Sequence, residues 1–474
     1  MESFLRWAAE LGISDSPQNE QSPSQNPSFS CIGKSLCVEY FADAGGRGLA
    51  AVRKLCKGEL ILRVPKSALM TRDRLLKDQR LSASVNRYPS LSSTQVFATC
   101  LLYEVNKGKK SGWFPYLMHL PRSYDILATF GEFEIQSLQV DDGIWSAEKA
   151  IQKAKLDWQE ATSLMKDLGF KPSLQTFKAW LWASATISSR TLHIPWDNAG
   201  CLCPVGDLFN YAAPGLEVID DPSLEIISSI EGHTAVELHI QGGDCDEQRL
   251  TDGGYAEDIA SYCFYARRNY EKGEQVLLGY GTYTNLELLE HYGFLLDNNP
   301  NDKVYIPIDS EIYSLCPWSK DLMCIEPNGK PSFALLFSVR LWLIPPFERK
   351  SQMQLAYSGS QLSVHNEINT MRWLKSKCEV AVNSFSSSVD EDRLLLVEMD
   401  EVINKEVGSK AYYDFMEARG LLSGKKDCSE KLQCLQGIRC MNRWKLAVNW
   451  RLNYKRCLED CICYCNEVIS NLIY

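Results

Sequence analysis

The sequence predicts an α+β fold in which a β region is interrupted by a helical insert and is followed by an all-α C-terminal domain. Two observations lead to this prediction. Apolar residues alternate in short runs bounded by glycines near residues 38–64 and 261–278, a pattern typical of small antiparallel sheets. Apolar residues instead recur at helical spacing between about residues 94 and 190, and again from about residue 310 onward.

The N-terminal segment is predicted to form a short amphipathic helix followed by a linker. Residues 2–12 place an apolar side chain on one helical face at Phe4, Leu5, Trp7, Ala8 and Leu11. Residues 14–29 are rich in Ser, Pro, Asn and Gln and lack apolar periodicity, which is typical of a surface loop. We therefore expect residues 1–34 to form a helix that docks on the body, plus a linker.

The β region is expected to cover residues 35–300, with the helical insert at about 94–190. Strands are predicted at residues 38–41, 49–52, 59–64, 235–240, 261–266 and 275–278, with a glycine-rich and acid-rich loop at 242–258. The C-terminal domain, residues 310–474, has helical patterns at 332–343, 369–385, 389–406, 409–419 and 431–470.

Composition excludes several classes of protein. The 474 residues carry a formal net charge of −10, so the chain repels nucleic acid and anionic membranes, and we expect no bulk nucleic-acid binding. The apolar stretch at 333–346 contains Arg340 and ends in two prolines, so we expect no membrane span. The N-terminus shows no secretory or transit signal, which predicts a cytoplasmic or nuclear protein.

The 18 cysteines are scattered along the chain and are expected to be free thiols in a reducing compartment. Cys457, Cys461 and Cys465 share one helical face, but the outer two lie about 12 Å apart along a helix, too far to share one zinc ion. Because Cys463 points elsewhere, we expect a buried apolar stripe and no metal site.

Three short motifs carry possible chemistry, although each has an ordinary structural explanation. The glycines at 45–48 are typical of a tight turn between strands, and they also let a ligand approach the backbone. Asn210 follows an apolar pair and offers an amide that donates and accepts, yet such residues often form Asx turns. Arg190 is able to pair with a ligand carboxylate or to serve as a structural arginine.

Taken in order, these motifs resemble the SET-domain protein methyltransferases, specifically the Rubisco large-subunit methyltransferase-like class. Five segments carry the resemblance: residues 46–51 with 58–65, residues 113–125, Ser189-Arg190, residues 207–210, and residues 279–300. The resemblance implies a SET-domain β-fold with a helical insert and a helical substrate-binding domain. It also implies methyl transfer from S-adenosylmethionine to a protein side-chain amine, most often lysine, without a metal.

The resemblance also implies roles for single residues. The backbone around Gly46, Arg47 and Gly48 corresponds to the cofactor-contacting segment. The resemblance further implies that Arg190 contacts the cofactor's carboxylate and that Asn210 contacts its amino-acid moiety. Tyr292 is expected to pack beside the adenine. Tyr280 matches the family's catalytic tyrosine, at the point where methyl donor and acceptor meet.

Tyr211 departs from the family, which has histidine after the asparagine. Tyrosine supplies the same backbone N–H and C=O, so we predict that cofactor affinity is retained. Tyr262, Phe264 and Tyr265, on the strand before Tyr280, are candidates for an aromatic substrate channel, and each is equally able to be a core residue.

Two other functions remain open at this point. Relatives of this fold methylate histidine, whose neutral imidazole needs no deprotonation. A non-catalytic protein that binds a partner through its helical tail is the other alternative. In every case we expect a protein substrate or partner held by residues 310–474, and nothing in the sequence requires more than a monomer.

Overall fold

The structure is a computed structural model that describes residues 1–16, 30–41, 46–213, 253–404, 410–419 and 430–473. The chain packs into two compact units, Met1–Ser123 with Ala154–Thr282 and Tyr124–Lys153 with Tyr283–Tyr474. These units are defined by packing, so the domain limits proposed from the sequence, at 1–34, 35–300 and 310–474, stay predictions.

Ten strands form three small sheets in the described part of the first unit. They are β1 (Leu36–Phe41), β2 (Gly46–Ala51), β3 (Leu60–Pro65), β4 (Met70–Thr71), β5 (Thr191–Ile194), β6 (Asp197–Leu202), β7 (Asn210–Tyr211), β8 (Gly253–Ala256), β9 (Ser261–Tyr265) and β10 (Gln275–Leu278). The sheets have the strand orders β1-β2-β10-β7, β3-β9-β8 and β4-β6-β5.

The four-stranded sheet joins segments that are far apart in sequence. Strand β10 pairs antiparallel with β2, where Val276 lies opposite Leu49. On its other edge β10 pairs parallel with β7, where Leu277 lies opposite Asn210. Residues 46–51, 210–211 and 275–278 therefore lie side by side.

Helices precede β5 in the chain, and the later ones occupy the region predicted as the insert. Those before β5 are α1 (Glu2–Glu10), α2 (Arg72–Leu75), α3 (Gln79–Val85), α4 (Ser93–Lys107), α5 (Phe114–Leu117), α6 (Glu132–Gln136), α7 (Asp141–Asp167) and α8 (Phe177–Arg190). Helix α4 begins at a capping box, in which Ser92 and Gln95 each accept the other's backbone N–H. Helices α4 to α8 lie between β4 and β5, so a helical insert interrupts the strands, as the predicted fold class requires.

The predicted N-terminal helix forms and docks on its own unit. Phe4 of α1 is buried, and its ring centroid lies 4.9 Å from His119 and 6.2 Å from Tyr116. One apolar face at helical spacing is therefore enough to fix this helix to the body.

The C-terminal part of the chain is helical, as predicted. Its helices are α9 (Asn285–His291), α10 (Ser310–Tyr313), α11 (Phe333–Trp342), α12 (Pro346–Tyr357), α13 (Val364–Ser384), α14 (Val389–Asn404), α15 (Lys410–Ala418) and α16 (Glu430–Ile473). The sequence did not predict α12, which begins at Pro346; a proline in the first turn has its φ preset for a helix and needs no hydrogen-bond acceptor.

A buried charge cluster joins α14 to α16. Asp392 accepts hydrogen bonds from Arg451 Nη2 and Lys455 Nζ, each at 2.6 Å. All three side chains are at most 5% exposed. The hydrophobic core of this second unit contains Cys457, Cys461 and Cys465, whereas Cys463 is exposed. This arrangement agrees with the predicted apolar stripe.

One prediction about the β region needs correction. The loop expected at 242–258 contains strand β8, which pairs antiparallel with β9. Gly253 makes this pairing possible, because a Cβ there would lie 2.6 Å from the carbonyl oxygen of Cys263. The strand predicted at 235–240 lies outside the described residues.

Candidate active site

The backbone of β2 lies beside two side-chain amides. A Cβ on Gly48 would lie 2.6 Å from Asn210 Nδ2 and 2.8 Å from Gln275 Nε2. Asn210 Nδ2 donates to the carbonyl oxygen of Arg47 at 3.5 Å. Glycine at position 48 is therefore required by a close approach of side chains to the backbone, beyond any role in the turn.

Gln275 lies in the candidate site, and no sequence motif indicated it. Its Nε2 is buried and has no hydrogen-bond partner among the described residues. A buried amide donor left unpaired costs about 1–3 kcal/mol, so it marks a place where a polar acceptor is expected. The available signal was a polar side chain at the start of an apolar strand.

Arg190, at the end of α8, is held by Asp207. Its Nη1 donates to the carbonyl oxygen of Asp207 at 2.8 Å and to the carboxylate Oδ2 at 3.0 Å. Tyr116 donates to the same carboxylate oxygen at 2.8 Å. The carboxylate is 3% exposed and thus fixes the guanidinium. Contact between Arg190 and the cofactor stays a prediction.

Asp207 and Tyr116 lie in the segments that carry the resemblance, but no sequence motif indicated a role for either residue. An acidic residue in an otherwise apolar motif was the available signal for Asp207, because buried carboxylates are almost always paired.

Tyr280 follows β10, and its hydroxyl donates to the backbone carbonyl of Phe209. Its ring centroid lies 5.3 Å from that of Tyr211, whose hydroxyl donates to the Gly281 carbonyl at 2.8 Å. Burial raises the pKa of Tyr280 well above its usual value, although Arg190 opposes this shift. The phenol is therefore neutral at physiological pH.

The turn that leads to Asn210 contains a strained residue. Val205 is fully buried and has a φ of 70°, which is an outlier for a β-branched side chain. The next residue, Gly206, packs under Phe264, since a Cβ there would lie 2.5 Å from the ring. Such strain persists only where the surrounding packing fixes the backbone, and it often occurs next to functional residues.

The three predicted channel residues do not share one environment. Tyr262 and Phe264 are at most 1% exposed, with ring centroids 5.0 Å apart, and Phe264 lies 5.2 Å from Phe209. Tyr265 is 41% exposed, on the opposite side of β9 from Phe264 because successive strand residues alternate. The first two therefore contribute to the core, and a channel role for any of them stays a prediction.

The remaining predicted residues are Gly46, Arg47 and Tyr292. Arg47 Nη2 donates a hydrogen bond to the carbonyl oxygen of His119 at 2.7 Å. No described atom lies within 4 Å of the place that a Cβ on Gly46 would take. Tyr292 belongs to the second compact unit, where its hydroxyl lies 3.3 Å from that of Tyr283. Its place beside the adenine stays a prediction.

Among the described residues, no three His, Cys, Asp or Glu side chains come together as a set of metal ligands. None of the helices in the described ranges is both long and apolar enough to cross a bilayer.

Solved structures resemble this fold over almost its whole length. A structure of the SET domain of LSMT bound to lysine and AdoHcy has a TM-score of 0.56 and 17% identity, covering 99% of this chain and 92% of that one. A structure of Rubisco LSMT bound to AdoMet matches with the same TM-score and coverage. The fold is therefore the SET-domain fold, with its α+β architecture and helical C-terminal region.

Sequence similarity to known proteins shows the family to which this chain belongs. Protein SET DOMAIN GROUP 40 of Arabidopsis thaliana is 52% identical over 493 residues, covering 100% of this chain and 97% of that protein. The chain belongs to the plant SET-domain group family. The actin-histidine N-methyltransferase of Rhinolophus ferrumequinum is 24% identical over 75% of this chain, and the match spans 59% of that protein. No family model matches the sequence.

Proposed function

We propose that this protein transfers a methyl group from S-adenosylmethionine to a lysine side chain of a protein substrate. The observation that carries the proposal is the hydrogen bond from the Tyr280 hydroxyl to the carbonyl of Phe209, the residue before Asn210. It anchors the predicted catalytic hydroxyl to the backbone immediately before the predicted cofactor-binding residue Asn210. The SET-domain fold and the ligands of the matching structures, AdoMet and lysine, support the same reaction.

The residues beside β2 fit the amino-acid end of such a cofactor. Gln275 Nε2 is a buried donor without a described partner, and Asn210 presents its amide at the Gly48 backbone. Carboxylate and ammonium groups need both donors and acceptors, which two amides and a strand backbone supply. Arg190 adds positive charge nearby, held in place by Asp207.

When bound, S-adenosylmethionine supplies an activated methyl group. The protein has to align the attacking nitrogen with that group and exclude water, because the gain comes mostly from orientation. Tyr280 is suited to this role. Its hydroxyl donates its proton in a hydrogen bond to the Phe209 carbonyl, so the lone pairs of the phenolic oxygen are able to accept a hydrogen bond from the substrate amine.

The substrate amine has to lose a proton before it reacts. A lysine with a reference pKa of about 10.4 is only about one-thousandth neutral near pH 7.4. Burial against aromatic residues such as Tyr211 and Tyr280 disfavours the ammonium and lowers that pKa. Because the Tyr280 phenol is itself neutral, we assign it an orienting role and not that of a general base.

Histidine methylation is the second candidate function. The observation that favours it is the match to actin-histidine N-methyltransferases, at 24% identity over about three quarters of this chain. A non-catalytic partner-binding protein is the third, and the Tyr280, Asn210 and Gln275 arrangement counts against it because an unpaired buried donor suggests a ligand.

We assign protein binding to the helical C-terminal region. Leu394 and Val397, three residues apart on α14, are 60% and 56% exposed, and Phe347 of α12 is 82% exposed. Exposed apolar side chains clustered on one helix face are a common feature of protein-binding surfaces. The monomeric state proposed from the sequence is a further expectation.

The test is methyl-labelled S-adenosylmethionine incubated with a plant cell extract and the purified protein. We expect a labelled protein band that Tyr280→Phe reduces about 100-fold, the scale for removing one polar contact at a transition state. Tyr40→Phe, at a position 73% exposed on β1, is the matched control and should label as the parent does. Mass spectrometry of the band distinguishes lysine from histidine. No label despite measurable cofactor binding would favour the non-catalytic alternative.

A further inference from the structure

A cavity of about 400 Å³ lies in the first unit, between α4, α5 and the start of α8. Its floor is apolar, formed by residues that include Leu102, Leu117, Leu120 and Trp182. Cavities of this size typically hold ligands of drug-like dimensions. None of the residues used in the candidate active site lines it.

The rim of this cavity is positively charged. Arg122 and Lys178 line it, both are exposed, and neither makes an ion pair or hydrogen bond with any described residue. Among the described residues that line the cavity there is no aspartate or glutamate. Two unpaired cations without counter-charge beside an apolar floor favour a ligand with an apolar body and a negative end.

The start of α8 strengthens this preference. Thr176 caps the 14-residue helix, and Thr176, Lys178 and Ala179 all line the cavity. The N-terminal end of a helix carries a partial positive charge, so a lysine in its first turn is unfavourable and an anion is favourable. An anionic group at the rim would relieve the repulsion between Lys178 and the helix dipole.

We propose that this cavity binds an apolar carboxylic acid of small-molecule size, with its chain on the floor and its carboxylate between Arg122 and Lys178. The cavity volume of about 400 Å³ lies in the range of small-molecule sites, and a ten-carbon chain is a suitable probe for it. An acidic peptide segment is the competing occupant, but the apolar floor suits a single unbranched chain better than a backbone with polar groups to satisfy.

The probe is decanoate, titrated into the full-length protein by calorimetry, beside decanol and decylamine as matched neutral and cationic chains. We expect saturable binding of decanoate, weaker binding of decanol, and none of decylamine. Because the rim is exposed, the affinity should also fall as salt is raised. Equal binding of decanoate and decanol would overturn the anionic preference, and absence of decanoate binding would overturn the site.

Two variants locate the binding. Arg122→Ala/Lys178→Ala should weaken decanoate binding about tenfold, the sum expected for two exposed ion pairs. Lys77→Ala/Lys272→Ala removes the same charge at exposed positions outside the cavity and should bind as the parent does. Ala179→Phe fills the cavity and should abolish binding. Unchanged binding in both cavity variants places the ligand elsewhere and refutes the proposal.

A coupling between the cavity and the active site follows, and it rests on the proposed function. His119 lies between Leu117 and Leu120 of the cavity wall, and its backbone carbonyl accepts a hydrogen bond from Arg47 Nη2 of β2 at 2.7 Å. Occupancy of the cavity should therefore change the affinity for S-adenosylmethionine about two- to tenfold, and the cofactor should change decanoate affinity equally. Unchanged cofactor affinity at saturating decanoate would refute this coupling. Failure to bind the cofactor at all would instead refute the proposed function.

Discussion

Arg190 and Asp207 are joined at two points, since one guanidinium nitrogen donates both to the backbone carbonyl and to the carboxylate of the aspartate. The contact fixes the segment that leads to Asn210 as well as the arginine itself. Loss of either partner should therefore affect the candidate active site in two ways, through its charge and through its backbone.

Asp207→Asn tests this relationship with a side chain of equal size. Arg190 loses its counter-charge and its fixed orientation, so we expect S-adenosylmethionine to bind about tenfold more weakly, an effect of about 1.4 kcal/mol. Calorimetric titration measures it. Asp73→Asn, at an exposed position, is the control. Cofactor affinity equal to that of the parent would show that the pair has no influence on the site.

Gly48→Ala should disturb the backbone that we propose faces the cofactor. The new Cβ would lie within 3 Å of Asn210 Nδ2, Gln275 Nε2 and the Phe41 ring, so these groups have to move. We expect a lower melting temperature and weaker cofactor binding. Gly254→Ala, where a Cβ meets no atom within 4 Å, should leave both unchanged. Thermal unfolding and calorimetry measure the two effects, and identical behaviour of the two variants would contradict the prediction.

The Tyr280 phenol should resist ionisation. Burial raises its pKa, so it stays protonated through the range near pH 10 in which an exposed tyrosine ionises. We expect the ultraviolet difference between the parent and Tyr280→Phe to show no phenolate between pH 9 and 11. The unfolded chain releases this proton more readily, so Tyr280 should lower the stability of the native state as pH rises above about 10. A phenolate signal at pH 10 in the native protein would disprove the raised pKa.

Asp392→Asn should destabilise the second unit strongly. The change leaves Arg451 and Lys455 buried without their counter-charge, which costs about 3–5 kcal/mol. Asp390→Asn, at a side chain 91% exposed, should change stability by less than about 0.5 kcal/mol. Urea unfolding followed by circular dichroism measures both. A cost below about 1 kcal/mol for Asp392→Asn would mean that the two cations find other partners.

The same aspartate gives a pH dependence. Burial alone would raise its pKa, but hydrogen bonds from Arg451 and Lys455 outweigh burial and hold the pKa of Asp392 below its usual value. Its contribution is therefore present above the unfolded pKa of about 3.9 and is lost as pH falls through the lower folded value. Acid unfolding of Asp392→Asn should show a smaller loss of stability over that range than the parent shows.

Local sequence patterns predicted much of the fold. The helical insert, the C-terminal helices and five of the ten described strands follow from apolar periodicity, which depends on neighbours a few residues away. Helix α12 was missed because its start at Pro345-Pro346 indicated a break, and β8 was missed because its glycines indicated a loop.

The candidate site was only partly predictable. Asn210, Arg190 and Tyr280 were found through ordered motifs, whereas Gln275 and the pairing of Asp207 with Arg190 were not. The sequence around a single glutamine or aspartate does not show which groups that residue will meet. Those groups lie on another strand or helix.

By itself, the sequence determined the order of the elements and the motifs that place this chain among SET-domain proteins. Only the tertiary structure decided which strands meet: β10 lies between β2 and a parallel β7, so Gly48, Asn210 and Gln275 become neighbours. The physical reason is that hydrogen-bond register and side-chain burial arise from contacts between residues far apart in the chain; Gly48 and Gln275, for example, are 227 positions apart. No local periodicity encodes such contacts.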